Sequence, residues 1–286
     1  MQVSSRDIRT LKSLELQDLS IIFPNYPPVL KDFSFKFIQG KTYLLTGTTA
    51  SGKSTLLKFL KGLIPLFYPA TIYGEVQIND TTISLEEYWN YRTQIGYLFQ
   101  DPPLQVIGST VEKDIAFGLE NLAYPNTRMK NQLLEIADRL DFTQLLSRTT
   151  TQLSGGELAL TALASILILE PTFLLLDEFT AFLDSNSRRR VYNIIKEIQN
   201  PNRIIIMVSH QIKEVLPLVD EVLVLDKGKL LLHAPKERFI TSNYHIIKHL
   251  LRIPEIFHLG IALCAQRGIE PNFDSKSELI ELIGRK

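Results

Sequence analysis

The chain has 286 residues, of which 31 are Lys or Arg and 31 are Asp or Glu, so its formal net charge is zero. This balance excludes a strong overall field that would draw the protein to nucleic acid or to anionic lipid. The longest apolar runs are shorter than the roughly 18 to 20 residues of a membrane-spanning helix, and we expect neither a span nor a secretory signal. The single cysteine, Cys264, fits a packing residue in a reducing compartment.

Alternating and apolar runs predict strands at 14–16, 33–37 and 43–45, and the last run leads into a phosphate-binding loop. The loop comprises Gly47, Thr48, Thr49, Ala50, Ser51, Gly52, Lys53, Ser54 and Thr55. Its backbone N–H groups can surround phosphate oxygens, and Gly47 and Gly52 leave room for that close approach. Lys53 can reach the terminal phosphates, and Ser54 can coordinate the bridging magnesium ion. The alternative is a plain glycine-containing surface turn.

The rest of the chain alternates between helical and strand patterns. A helix is predicted at 54–63, a short strand at 75–78, a helical block at 111–148, buried parallel strands at 173–176 and 204–208, and a hairpin at 222–232. Beyond about residue 236 the pattern predicts a helical tail, in which Ile256, Leu259 and Leu263 share a face. Short amphipathic helices of this kind must pack on the main domain or on another subunit.

Two apolar strands end in polar residues that suit nucleotide hydrolysis. The strand at 173–176 continues into Asp177 and Glu178, which fits a Walker B element in which Asp177 holds the metal and Glu178 polarises the attacking water. A solvated acidic turn after a buried strand is the alternative. His210 follows the strand at 204–208, where its imidazole can hydrogen-bond a γ-phosphate oxygen.

A second glycine turn, Leu153-Ser154-Gly155-Gly156-Glu157, stands before an apolar helical run. Bare N–H groups at a helix start can bind an anion, although the same pattern also suits an ordinary turn before a buried helix.

The order of these elements resembles the ATP-binding-cassette family over most of the chain. The resemblance implies a P-loop NTPase of α/β class, with a mixed sheet core, an antiparallel β subdomain, a helical subdomain at about 101–160 within a nucleotide-binding domain at 1–235, and a C-terminal helical extension at 236–286. It implies ATP and Mg²⁺ as ligands, and a second such ATPase, identical or paralogous, paired head to tail.

The resemblance also implies roles for individual residues. Catalysis would fall to Lys53, Gln100, Glu178 and His210, and the metal to Ser54, Gln100 and Asp177. Residues Ser154, Gly155, Gly156 and Glu157 would act on the partner's ATP, and Asp184 would link the two sites. Phe23 is the candidate for stacking on adenine, and Tyr26 is its alternative.

A closer similarity is to ATPase subunits of energy-coupling factor transporters, including the cobalt and nickel type. It is carried by residues 99–105, by residues 110–118 and by the tail from Ile253-Pro254 onward. The implied function is ATP hydrolysis that powers import of a vitamin or metal ion through a separate integral-membrane subunit, at the cytoplasmic face of the membrane. The helical block after Gln100, including Val106 and Phe117, would contact that subunit.

The chain departs from the family pattern at several positions. Glu157 stands where Gln is usual, residues 158–161 lack the customary Arg, Phe179 replaces Pro, and Thr48-Thr49-Ala50 is an unusual loop filling. These departures favour an alternative, a regulatory nucleotide-binding subunit that hydrolyses weakly beside an active ATPase. A soluble cassette acting on nucleic acid or ribosomes is the third possibility, disfavoured by the neutral charge and the single cassette.

Overall fold

The computed structural model describes residues 10–181, 183–268, 271, 273 and 276–284. The strands are β1 Ser13–Ile22, β2 Leu30–Ile38, β3 Thr42–Gly47, β4 Thr71–Ile78, β5 Thr81–Ile83, β6 Ile95–Leu98, β7 Phe173–Asp177, β8 Ile204–Val208, β9 Glu221–Asp226 and β10 Lys229–Pro235. The α-helices are α1 Lys53–Leu60, α2 Leu85–Tyr88, α3 Val111–Asn121, α4 Asn126–Arg139, α5 Gly155–Leu167, α6 Ser185–Ile198, α7 Ile212–Val215, α8 Lys236–Ile247, α9 Glu255–Arg267 and α10 Lys276–Gly284. None of these helices is both long and apolar enough to cross a membrane.

The central sheet has the strand order β10-β9-β3-β8-β7-β6. Neighbouring strands from β9 to β6 pair in parallel, and β10 pairs antiparallel with β9. Strands β3, β7 and β8 are buried along their whole length, as expected for strands covered on both faces. The predicted mixed sheet is therefore confirmed.

The register of the parallel strands brings three loops to one edge of this sheet. Leu45 of β3 and Asp177 of β7 both align with Val208 of β8. Because parallel strands end at the same edge, the phosphate loop, Glu178 and His210 leave the sheet side by side.

A second, antiparallel sheet has the order β2-β1-β4-β5 and packs over one face of the central sheet. The apolar residues of α1 lie in the same core, together with the inward side chains of both sheets. The predicted antiparallel β subdomain is confirmed, and its packing on α1 fixes the helix that begins at the phosphate loop.

The opposite face of the central sheet is covered by helices α3 to α6. The chain leaves the sheet after β6, forms α3, α4 and α5, and returns as β7, so the predicted helical block is present between these two strands. The boundaries of a helical subdomain at 101–160 and of the domains at 1–235 and 236–286 stay predictions.

The tail packs on the same core, which includes Phe239, Phe257 and Cys264. Within α9, Phe257, Gly260 and Cys264 are buried, whereas Leu259 of the predicted apolar face is 57% exposed, so the packing of that face on another subunit stays a prediction. Glycine at 260 allows this packing, since a Cβ there would lie 2.5 Å from a ring carbon of Phe273. A predicted cap at Ser275 lies outside the described residues.

Candidate active site

The two glycines of the phosphate loop are required by the protein's own backbone. Gly47 has φ +142°, and a Cβ there would lie 1.9 Å from the carbonyl oxygen of Leu225 on β9. Gly52 has φ +101°, and its Cβ would approach the carbonyl oxygen of Val29 to 2.9 Å. The loop packs closely against β9 and against the turn before β2. This packing alone requires glycine at both positions, whether or not phosphate is bound.

Lys53 lies in the loop with its ammonium group directed at carbonyl oxygens. Its Nζ donates to the Thr48 carbonyl at 2.8 Å and to the Gly47 carbonyl at 3.2 Å. Burial lowers the pKa of Lys53, and the nearby carboxylates of Glu178 and Asp177 oppose that shift. The Lys53 ammonium group thus lies on the phosphate loop, near the carboxylates of Asp177 and Glu178.

Oxygen donors from three elements meet in one cleft of about 260 Å³, which we call the metal-donor cleft. Its lining includes Ser54 of α1, Asp177 of β7, Gln100 after β6, and Tyr97. The Ser54 hydroxyl donates to Asp177 Oδ1 at 3.2 Å. A hydroxyl, a carboxylate and an amide oxygen are hard donors of the kind that Mg²⁺ prefers, so these residues fit that ion.

Asp177 itself is 2% exposed, and burial raises its pKa, against the effect of hydrogen bonds from Tyr97 and Ser54. A buried carboxylate is costly unless nearby cations and donors compensate it, and Lys58, which lines the same cleft, supplies part of that compensation. A divalent cation in the metal-donor cleft would add to it.

Glu178 and His210 are in direct contact at the same edge of the sheet. Glu178 Oε1 lies 3.1 Å from His210 Nε2, and the pKa of Glu178 is lowered chiefly by this hydrogen bond. Glu178 has φ +44°, and its N–H donates to the Val208 carbonyl at 3.1 Å. The bond to β8 holds Glu178 at the edge of the sheet, next to His210.

The second glycine turn forms the start of α5. Ser154 is its N-cap, and Glu157 closes a capping box in which its Oε2 accepts from the Ser154 N–H at 2.8 Å and from the Ser154 hydroxyl at 2.8 Å. Arg148 Nη1 reaches Glu157 Oε1 at 3.4 Å. These bonds lower the pKa of Glu157, with the Ser154 backbone contributing most.

Asp184 is the N-cap of α6. It accepts hydrogen bonds from the N–H groups of Asn186 and Ser187 and, at 2.6 Å, from the Ser187 hydroxyl. A Cβ at Gly156 would lie 2.4 Å from the Ser187 oxygen, so the starts of α5 and α6 are packed together. None of Ser154 to Glu157 or Asp184 is among the described residues that line the metal-donor cleft.

The two candidates for adenine stacking differ in exposure. Phe23 is half-buried and packs against the core between the sheets, whereas Tyr26 is 69% exposed. Both lie in the turn after β1, where the Tyr26 N–H donates to the Phe23 carbonyl at 3.1 Å. The structure does not choose between them, and adenine stacking stays a prediction.

Comparison with known proteins decides the family. Residues 30–181 match the family model described as ABC transporter. The energy-coupling factor transporter ATP-binding protein EcfA1 of Mycoplasma pneumoniae is 35% identical over 90% of this chain and 90% of its own length. EcfA1 of Levilactobacillus brevis is 36% identical over 86% of each chain. The chain is an ABC transporter ATPase.

The solved structure of cbiO1 from Clostridium perfringens, described as part of the ABC transporter complex cbiONQ, has a TM-score of 0.73 and 26% identity to this ATPase. The match covers 86% of this chain and 97% of that chain. The predicted P-loop fold, ATP binding and ATPase class are confirmed, as is the similarity to the energy-coupling factor group.

Sequence reasoning missed two residues that form hydrogen bonds with predicted site residues. Tyr97 donates its hydroxyl to Asp177 Oδ2 at 2.9 Å, and Asp226 accepts from the Thr48 hydroxyl at 2.9 Å. Both follow from strand order, because β6 adjoins β7 and β9 adjoins β3. The sequence shows that Asp226 is an acidic residue at the end of β9. Only the pairing of β9 with β3 shows that it lies next to Thr48.

A larger groove of about 600 Å³ lies between the β6 edge of the sheet and α3. It is lined by apolar residues that include Phe99, Ile107, Phe117, Leu122 and Leu169. We call this surface the β6–α3 groove. It shares Leu63, Tyr97 and Phe99 with the metal-donor cleft, so the two cavities have a common wall.

Proposed function

We propose that this ATPase hydrolyses ATP at its own phosphate loop and thereby powers import of a vitamin or metal ion through a separate membrane subunit. The observation that carries this proposal is the Glu178–His210 contact beside Lys53, at the edge where the metal donors also meet. The pKa of Glu178 is lowered, so its carboxylate is ionised at neutral pH and can orient and polarise a water molecule. The His210 Nε2–H, which faces Glu178 in this structure, would donate to the γ-phosphate when ATP is bound.

Mg²⁺ is the proposed metal, held by Ser54, Asp177 and Gln100. When bound, it would neutralise negative charge on the phosphates. Lys53 would contribute the second positive charge, and the loop N–H groups would position the phosphates for attack. The oxygen-donor set of the metal-donor cleft supports this assignment.

A second ABC ATPase, identical or paralogous, is the proposed partner at the nucleotide. The turn from Ser154 to Glu157 lies at the exposed start of α5, apart from the chain's own metal-donor cleft. The exposed N–H groups of such a turn can bind phosphates of ATP held by another subunit. Asp184, packed through Ser187 on Gly156, would connect the two nucleotides.

The β6–α3 groove is the proposed docking site of the membrane subunit. Its apolar lining and its size suit an amphipathic helix laid across it. The ATPase would then sit peripherally at the cytoplasmic face of the membrane. Its neutral net charge gives no support to a nucleic-acid partner.

One observation favours the alternative of a weakly hydrolysing regulatory subunit. Glu157 brings a negative charge to the anion-binding start of α5 and engages both the N–H and the hydroxyl of Ser154. This arrangement would weaken what the chain offers to its partner's ATP. It leaves the chain's own Glu178 and His210 in place, and we therefore keep the working ATPase as the conclusion.

The test is ATP hydrolysis by the chain alone and mixed with its candidate partner ATPase, each beside a Glu178→Gln variant. We expect the wild type to turn over and the variant to bind ATP, dimerise and stall. Turnover of the mixed complex that is indifferent to Glu178 would contradict the proposal and assign the active site to the partner.

A further inference from the structure

The two carboxylate oxygens of Asp177 have different partners. Oδ1 accepts from the Ser54 hydroxyl at 3.2 Å, and Oδ2 accepts from the Tyr97 hydroxyl at 2.9 Å. Asp177 is 2% exposed and Tyr97 is 5% exposed, so water does not compete at either end of the second bond. Each oxygen is therefore held from its own side.

Strand register explains why a tyrosine reaches this carboxylate. Tyr97 of β6 aligns with Leu175 of β7, two residues before Asp177. Side chains two residues apart on a strand share a face and are displaced by about 6.6 Å along it. The phenol ring spans that step, which a shorter hydroxyl side chain such as Ser or Thr would not.

The ring of Tyr97 is held in this orientation by its other neighbours. Phe99 packs edge-on against it with 4.9 Å between the ring centroids. Tyr97 and Phe99 together form part of the wall shared by the metal-donor cleft and the β6–α3 groove. The hydroxyl is thus a preorganised donor at the metal-donor cleft.

We propose that Tyr97 is a positioning residue for Asp177, holding Oδ2 so that Oδ1 stays directed at Ser54 and the metal. The inference rests on the proposed role of Asp177 as a metal ligand. Removal of a residue that orients a metal-binding ligand typically weakens metal affinity 10- to 100-fold. Part of the binding free energy is then used to orient the ligand. Tyr97 itself would contact neither ATP nor the metal.

Tyr88 provides a matched control. It is also a buried tyrosine, 2% exposed, but its hydroxyl donates to the Leu60 carbonyl at the end of α1. Tyr88→Phe removes a buried phenolic hydroxyl without touching Asp177. A purely structural role for Tyr97 would therefore give the two Phe variants the same properties.

The experiment measures binding of a fluorescent ATP analogue during titration with MgCl₂, and binding of Mn²⁺ by electron paramagnetic resonance, in the wild type, Tyr97→Phe, Tyr88→Phe and Asp177→Asn. For Tyr97→Phe we expect the half-saturating Mg²⁺ concentration to rise about tenfold, the metal-free affinity for nucleotide to stay unchanged, and hydrolysis to recover at high Mg²⁺. Tyr88→Phe should match the wild type in all three.

A Tyr97→Phe half-saturation within about twofold of the wild type, with Asp177→Asn impaired, would overturn the role of Tyr97 while leaving the metal ligand intact. Wild-type metal binding by Asp177→Asn would instead refute the proposed metal site itself. Melting curves check that each variant is folded. Tyr97→Leu is a second variant without the hydroxyl, and it must show the same rise in Mg²⁺ requirement for the inference to stand.

Discussion

At residue scale, Glu157 combines two opposing electrostatic effects at the start of α5. A carboxylate in the first turn of a helix is stabilised by the N–H groups and the helix dipole, and here the Ser154 bonds lower its pKa. The same charge faces the surface proposed to meet phosphates of a partner's ATP. Arg148, 3.4 Å away, offsets it only in part because the pair is exposed to solvent.

Replacing Glu157 separates these effects. In Glu157→Gln we expect the free energy of unfolding to fall by about 0.3–1 kcal/mol and ATP-dependent dimerisation to become stronger, since one negative charge is removed from the interface. Sedimentation in a Glu178→Gln background measures the dimerisation. Glu112→Gln, which removes an acid from the first turn of α3, is the control. Equal dimerisation in both variants would show that the Glu157 charge matters only for the helix.

The buried carboxylate of Asp177 predicts a pH dependence. Burial raises its pKa above the usual value of about 3.9, so a proton competes with the metal at a higher pH than it would at an exposed aspartate. As the pH falls towards this raised pKa, we expect the half-saturating Mg²⁺ concentration to rise. Titrations between about pH 5 and pH 8 test it. A flat profile over that range would contradict competition by the proton at these pH values.

At the scale of elements, Arg190 ties α6 to the end of α4. Arg190 on α6 donates from Nη2 to the Leu140 carbonyl at 2.9 Å and to the Asp141 carbonyl at 2.5 Å, at the C-terminal end of α4. Charged donors at helix carbonyls are favourable because they satisfy groups without an intrahelical partner. The ion pair of Arg190 with Asp141, at 3.9 Å and highly exposed, adds little.

Loss of Arg190 is expected to loosen the end of α4. For Arg190→Ala we predict a loss of about 1–2 kcal/mol in unfolding free energy, with faster amide exchange in the last turn of α4. Hydrogen exchange with mass spectrometry locates the change. The neighbouring exposed Arg189, changed to Ala, should leave exchange in α4 unaltered. Equal effects of both variants would argue that general charge, and not the carbonyl contacts, stabilises the helix.

At the scale of the whole molecule, the metal-donor cleft and the β6–α3 groove share the wall formed by Leu63, Tyr97 and Phe99. A helix seated in the groove would therefore press on residues that adjoin Gln100 and Asp177. This common wall connects the proposed membrane-subunit site with the proposed nucleotide site. Coupling between them would appear as a change in nucleotide affinity when the membrane subunit binds.

Docking in the groove is tested by charge. Phe117→Glu places a carboxylate on the apolar lining, and we expect co-purification with the membrane subunit to be lost while hydrolysis by the isolated ATPase is retained. Leu134→Glu changes an exposed apolar residue of α4 that does not line the groove. Normal recovery of the membrane subunit with Phe117→Glu would count against this docking site.

The sequence by itself determined the motifs that consist of neighbouring residues. The phosphate loop, the Asp177-Glu178 pair and the Ser154 turn are local patterns, in which a few neighbours fix both backbone shape and charge. Apolar runs likewise predicted β3, β7 and β8, because strands buried on both faces are short, continuous and apolar. The family follows from the order of these motifs.

Only the tertiary structure decided which distant residues meet. Tyr97 reaches Asp177, and Asp226 reaches Thr48, because β6 adjoins β7 and β9 adjoins β3. The face of α9 that is buried depends on Phe273 lying over Gly260, which the periodicity of α9 cannot reveal. Strand order and helix rotation minimise the free energy of the whole core, and no window of sequence contains that sum.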